Sequence, residues 1–239
     1  MLVRNPKQVD TDLYDCIPQK GECPIGCLDC FFNRPGAYYV PLAEMPLIPT
    51  PEEVGDGIVR MNCGNDSNIQ RELVIKTATQ YKRRFFNTSI PKLDFPGPVV
   101  LTANPKEEQC AHLIHSPPDN LMFVRLRVSG TNLHHIDIAV DHYTRRNVPI
   151  VLTYMAYFSR NPVVDRTDVP IPAEECYVWK VRHINSYWCP TPAFMGFVRD
   201  RYFDNRLVSM CSSIKDSYCR SCRNCETFYI QTEKRMRGE

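Results

Sequence analysis

No run of the chain reaches the ~18 consecutive apolar residues that a membrane-spanning helix needs. The opening stretch, MLVRNPKQVDTDLYD, also lacks the apolar centre of a secretory signal. A cytoplasmic protein with no membrane partner is the expectation. Net charge is scarce as well: 29 basic against 27 acidic residues leave +2. That total does not announce a polyanionic partner, although a local patch can hide inside a neutral sum. The two dense basic clusters, Lys82-Arg83-Arg84 and Lys234, Arg235 and Arg237, read as solvated surface. Also missing are a glycine-rich phosphate loop, a serine-nucleophile motif, internal repeats and low-complexity tracts. Those absences remove P-loop and serine-hydrolase chemistry and solenoid architectures. The histidines show no ligand spacing.

Cysteine, by contrast, is abundant, with 12 in 239 residues. In a reducing compartment that number argues for metal binding or catalysis rather than a disulfide framework. One group is Cys23, Cys27 and Cys30 in ECPIGCLDCFFN; a second is Cys211, Cys219, Cys222 and Cys225 in MCSSIKDSYCRSCRNC. Cys16, Cys63, Cys110, Cys176 and Cys189 stand alone, and buried small hydrophobes are the expectation for Cys63, Cys110 and Cys176.

Between the groups, short apolar runs alternate with longer segments of helical character, the habit of parallel α/β proteins. Thr50 followed by Pro51, Glu52 and Glu53 marks a helix start. Strands are expected at 57–62, 84–90, 98–103, 121–128 and 149–158, with helices over 69–81 and 133–146. In the second helix Leu133, Ile136, Ile138, Ala139, Val140 and Tyr143 supply the apolar face. This spacing predicts a partial (β/α)6 TIM-like barrel over residues 1–160. Residues 161–239 then form a small cysteine-rich extension: proline-rich and irregular at first, with a β-like piece at 177–182, and ending in a polar tail.

Thiolates spaced as in CPIGCLDC, in a loop bearing Pro24 and Gly26, suit three-point ligation of an iron-sulfur cluster with one iron left open. A zinc knuckle completed by Cys16 is the alternative reading of the same spacing. The motif resembles the CxxxCxxC signature of the radical S-adenosylmethionine superfamily, and the resemblance covers about residues 10 to 160. It implies a [4Fe-4S] cluster on Cys23, Cys27 and Cys30, whose open iron takes the methionine end of S-adenosylmethionine. It also implies an electron donor such as flavodoxin or ferredoxin, and reductive cleavage to a 5′-deoxyadenosyl radical that takes hydrogen from a substrate. Where the family has an aromatic before the third cysteine, this chain has Asp29 and places Phe31 and Phe32 after it. Phe32 is the resulting candidate for the cofactor. The family's GGE-like stretch corresponds in position to MNCGNDSN, nominating Asn62, Gly64, Asn65 and Asp66. Later strand ends nominate Ser129, with Arg127 or Arg125 as carboxylate partner, and offer Asn87, Ser89 and Asn104.

The CxxCxxC run of Cys219, Cys222 and Cys225, completed by Cys211 or Cys189, has the compact spacing of ferredoxin-type ligation. A second [4Fe-4S] cluster is the preferred reading and zinc the alternative. The substrate stays open, with a peptide or protein favoured. The competing reading of the whole chain is a non-enzymatic zinc-binding module that contacts nucleic acid or protein.

Overall fold

The computed structural model describes residues 3–27, 30–103, 113–158, 168–183, 185–211 and 216–239. Its elements in chain order are β1 (Leu13–Cys16), α1 (Pro51–Val54), β2 (Ile58–Met61), α2 (Arg71–Ala78), β3 (Arg83–Thr88), β4 (Val99–Ala103), β5 (Leu121–Val128), α3 (Leu133–Thr144) and β6 (Ile150–Tyr154). They continue as α4 (Ala173–Cys176), β7 (Tyr177–Lys180), β8 (Tyr187–Pro190), α5 (Pro192–Arg201), β9 (Val208–Met210), α6 (Cys219–Cys222) and α7 (Asn224–Met236). Two compact units result, one of residues 1–102, 118–123 and 218–239, the other of 103–117 and 124–217. No helix among the described residues is long and apolar enough to cross a membrane.

The first unit is a parallel layer in which β1 pairs with β2, β2 with β3 and β3 with β4, in sequence order. Its register sets Asp15 of β1 opposite Arg60 of β2, and Arg60 opposite Phe85 of β3. Local chemistry starts the first helix where expected. Thr50 accepts from the Glu53 N–H and the Glu53 carboxylate accepts from the Thr50 N–H, a reciprocal cap. Gly55, at φ +57°, then ends α1 after one turn. Helix α2 is shorter than the expected 69–81, because the left-handed Gln70 (φ 49°) blocks propagation before Arg71. The expected polar tail is instead the 13-residue α7. It lies on the sheet through Tyr229 against Phe85 and Phe228 against Phe123, while Arg235 donates to the carbonyls of Asp119 and Leu121. Two aromatics and one long cation thus hold a helix that is otherwise mostly polar, with Ile230 and Met236 left exposed.

In the second unit β5, β6 and β9 pair in parallel. Helix α3 buries Leu133, Ile136, Ala139, Val140 and Tyr143, as its period predicts, whereas Ile138 falls on the outer side at 38% exposure. Strand β6 stops at Tyr154 rather than Phe158, because the chain leaves the parallel layer there. Tyr157 exchanges backbone hydrogen bonds with Trp188 of β8 instead. The region expected to be irregular contains the antiparallel ribbon β7–β8, and α5 follows it. Both units are α/β with parallel strands; neither closes into a barrel among the described residues.

Candidate functional site

The cysteine loop follows the C-terminal end of β1, the end at which parallel layers expose their loops for chemistry. Two devices shape it. Gly26 turns at φ +66°, and Asn33 clamps both backbone groups of Cys23, accepting from its N–H at 3.3 Å and donating to its C=O at 3.1 Å. The Cys30 N–H closes a turn onto the Cys27 carbonyl at 3.2 Å. All three thiols are half-buried. Burial raises the Cys23 thiol above its ordinary value; the Ile25 backbone opposes this, and the neighbouring charges of Asp66, Cys30 and Cys27 add to it. The first cysteine group and Asp66 therefore share one neighbourhood.

Beneath the loop lies a small apolar cluster of Ile17, Phe32, Val40 and Met45, with Cys23, Cys30 and Cys63 packed against it. Phe32 is 1% exposed, its ring edge-on to Tyr38 at 5.3 Å, so its face is spent on the core. The exposed aromatic of the pair is Phe31, at 42%, stacked on Tyr38. Gly64 explains this arrangement, because a Cβ there would stand 2.7 Å from Cε2 of Phe32. Replacing Gly64 with alanine is expected to cost about 1–3 kcal/mol by overpacking, read as a lowered urea midpoint at unchanged m. A Phe32→Leu change in the same chain should recover part of that loss.

The MNCGNDSN turn, at the end of β2, divides into two kinds of residue. Asp66 is occupied by its own chain: its oxygens accept from the Asn68 N–H, the Thr88 hydroxyl, and the N–H and hydroxyl of Ser89. Asn65 accepts from the Asp66 N–H, and Asn87 donates to the Met61 carbonyl. These contacts lock β2 to β3. Asn62 differs. It is held left-handed at φ 57°, is 1% exposed, and donates through Nδ2 to Ser67 Oγ, while its Oδ1 finds no partner among the described residues. Gln19, on the cysteine loop, repeats the pattern. Its Nε2 donates to the carbonyls of Asp66 and Ile69, and its buried Oε1 is unpartnered. Two buried acceptors without donors on adjoining loops are a standing demand for a donor.

No family model matches the chain, and no curated protein or solved structure matches it either. The site must be read from its own chemistry.

Sequence reasoning missed a buried network beside the loop. Asp15 accepts five hydrogen bonds: from Asn5, Gln8 and Tyr39, and two from Arg60 at 2.8 and 3.2 Å. Burial alone would raise its pKa, but Arg60, with Asn5 and Cys63, holds it below the ordinary carboxylate value. Cys63 lies 2.5 Å from the Tyr38 hydroxyl, and burial and Asp15 push its thiol up against the opposing pull of Arg60. Cys63 was expected to be a buried packing residue; it is half-buried and sits against the Tyr38 hydroxyl in this polar network instead. Cys16 points elsewhere. It is fully buried at 0% exposure, near the Tyr81 hydroxyl, with its thiol pushed up to about 12 by burial. That is the setting of an inert packing residue rather than a ligand.

Cys219 and Cys222 lie on the single turn α6, and Cys225 lies in the first turn of α7 after the left-handed Arg223. This motif is tied to the segment before β1: Arg220 pairs with Asp10 at 2.8 Å, and Glu226 accepts from the Asp12 N–H. Burial works against the charge of Arg60, which is sustained first by Asp15, then by Cys63 and, more weakly, by Cys225. Cys211 and Cys189 belong to the second unit, where the Cys211 N–H continues the β9 pairing onto the Leu152 carbonyl at 2.8 Å. In that unit Ser129 is 2% exposed; its N–H donates to Asn132 Oδ1 and its hydroxyl meets that of Thr131. Arg127 is half-buried on β5, and its carbonyl accepts from Asn132. Cys176 is a buried packing residue as expected. Asn104 and Cys110 lie outside the described residues.

Among the described residues, no three of His, Cys, Asp and Glu stand close enough to hold a single metal ion. Zinc needs its sulfurs at about 2.3 Å from one point.

Proposed function

We propose that the chain is a radical S-adenosylmethionine enzyme, built as an open partial barrel of (β/α) units. The observation that carries this reading is the pairing of a CxxxCxxC loop after β1 with the buried, unpartnered Oδ1 of Asn62 at the end of β2. The residues fit the group. Thiols are the donors that iron-sulfur clusters take, three of them leave one iron free of protein, and Asn62 Oδ1 offers an acceptor where the resemblance places the cofactor's amino group. When bound, the cluster supplies one electron for cleavage of S-adenosylmethionine, and the resulting 5′-deoxyadenosyl group takes a hydrogen atom from substrate.

The chain's own part is positional. Asn33 fixes the backbone at Cys23, and Gly26 allows the loop to double back. Gly64 and Phe32 pack the loop down on the β2 turn, and Asp66 locks that turn to β3. Asn62 Oδ1, without a donor among the described residues, is free to accept one from the cofactor, and Phe31 is an exposed ring on the cysteine loop. Ser129 and Arg127 remain the candidates at the end of β5, and Cys219, Cys222 and Cys225 the candidates for the second cluster. An electron donor such as flavodoxin or ferredoxin completes the scheme, with a peptide or protein the favoured substrate.

Anaerobic reconstitution followed by iron, sulfide and zinc analysis, with a dithionite-driven assay for 5′-deoxyadenosine, tests the reading. Expected are about eight irons per chain and reductant-dependent product. Zinc in place of iron, with no cleavage where a control enzyme works, overturns it in favour of a zinc-binding module.

A further inference from the structure

The ribbon β7–β8 carries the chain's two tryptophans and nothing acidic. Trp179 stands directly opposite Trp188 in the antiparallel register, their ring centroids 5.3 Å apart. They are the only tryptophans in the protein, and from Cys176 to Arg199 the sequence contains no Asp or Glu. Trp179 is 41% exposed, Val178 51% and Val181 79%, while Trp188 is half-buried. Large apolar side chains left in water on a two-stranded ribbon need a reason.

Strand alternation sorts the ribbon's chemistry. Alternation within β7 puts Trp179 on one face and Lys180 on the other, and Val181 and Arg182 follow the strand; Lys180 and Arg182 are both exposed. Arg182 sits 5.0 Å over the Tyr187 ring, which holds its cation at a defined height. The platform is rigid at its base. Trp188 is fixed on both sides of its backbone, to Trp179 by the ribbon and to Tyr157 by two hydrogen bonds, and the Tyr177 hydroxyl accepts from the Gly130 N–H. Among the described residues no strand covers the outer edge of β7, yet Lys180 on that edge discourages addition of another protein strand.

Two neighbouring indoles, their planes 59° apart, in a stretch whose only charges are basic match one chemistry: unpaired bases that stack, joined by phosphates that seek cations. We propose that the β7–β8 ribbon binds single-stranded nucleic acid, with bases on Trp179 and Trp188 and the phosphate backbone on Lys180 and Arg182. The proposal does not rest on the radical chemistry, since the ribbon is argued within its own unit and the test reads binding rather than turnover.

Both tryptophans lie in the ribbon, so tryptophan fluorescence, excited on the red edge where the 12 tyrosines do not absorb, reports on this site alone. Titration with a 12-nucleotide oligouridylate is expected to quench it saturably. Two phosphate contacts predict about sevenfold weaker binding at 200 mM than at 50 mM salt. Trp188→Ala should weaken binding about 5- to 150-fold, followed by fluorescence anisotropy of a labelled oligomer, whereas Trp179→Phe keeps a stacking ring and should stay within a few-fold. Lys180→Glu with Arg182→Glu should abolish binding while circular dichroism stays unchanged. The proposal is overturned if the oligomer leaves the fluorescence unchanged, if base-free polyphosphate quenches as well as the oligomer does, or if only polyglutamate saturates the signal, which would assign the ribbon to a protein partner.

Discussion

Arg60→Met is expected to destabilise the protein by about 3–5 kcal/mol, the usual cost of leaving one member of a buried ion pair without the other. Asp15 has a side chain 1% exposed, and Arg60 supplies two of its five hydrogen bonds. Methionine fills the space of the Arg60 stem but offers no donor, so a buried carboxylate keeps three neutral donors and loses its counter-charge. The pH dependence identifies the cause. In the native protein the folded pKa of Asp15 is depressed, so its contribution is complete above the unfolded value near 4 and is lost as pH falls through the folded value. Without Arg60, burial dominates and the folded pKa moves above the unfolded one. The sign then reverses: the variant's deficit is largest at neutral pH and shrinks on acidification as Asp15 takes up a proton. Urea unfolding of both proteins between pH 4 and 8 reads this directly. The double variant Asp15→Asn with Arg60→Met should regain much of the loss, because no unpaired charge remains. A deficit that is flat with pH, or a double variant no better than the single, would show that packing rather than charge is what Arg60 provides.

Those two residues also show where sequence reading stops. Asp15 and Arg60 are 45 positions apart, and only the parallel register of β1 on β2 makes them neighbours. Nothing local marks either one. Strands β2 to β5 were legible because each is a short apolar run bounded by turn residues, and α3 because its buried positions recur at helical spacing. Helix α1 declared itself through the Thr50–Glu53 cap. Helix α7 did not, since Phe228 and Tyr229 are the aromatic anchors of a mostly charged and polar segment and their partners Phe123 and Phe85 lie far back in the chain. The three-residue β9 is too short for any period to show. Half of the ribbon was visible in YVWKVR, but its partner YWCP ends in a proline, which argues against a strand until the edge position is known.

The site divides along the same line. The cysteine spacing is local, so the loop could be found by inspection. The contacts that shape it are not local: Asn33 reaches back ten residues to Cys23, and Phe32 needs the bare Cα of Gly64. Asp66 was nominated by position, and the structure spends its carboxylate on Thr88 and Ser89, which no motif could foretell. Asn62 stood in the same stretch with the same claim. Its distinction, a buried acceptor left over, is a property of packing alone.

Cys27→Ala should therefore act on chemistry and leave the fold alone, the largest functional effect expected in the chain. The Cys27 thiol is half-buried on a loop whose backbone is held by Asn33 and Gly26, so losing it should change stability by no more than about 1 kcal/mol. A cluster held by three thiolates cannot keep its position on two. After reconstitution the iron content is expected to fall from about eight to about four per chain, and formation of 5′-deoxyadenosine to reach background. Cys16→Ala provides the contrast, because that thiol is packed at 0% exposure against the β1 core. It should cost stability by leaving a small cavity, while iron and cleavage stay intact. The paired result separates a ligand from a packing cysteine by measurements that move in opposite directions. If Cys27→Ala retains all its iron and still cleaves S-adenosylmethionine, Cys27 is not a ligand and the assignment of the cluster to this loop falls, while the radical chemistry stands. If instead both variants lose iron in proportion to their loss of folded protein, the loss comes from unfolding and says nothing of ligation. Measuring stability and iron on the same preparations is therefore what gives the comparison its force.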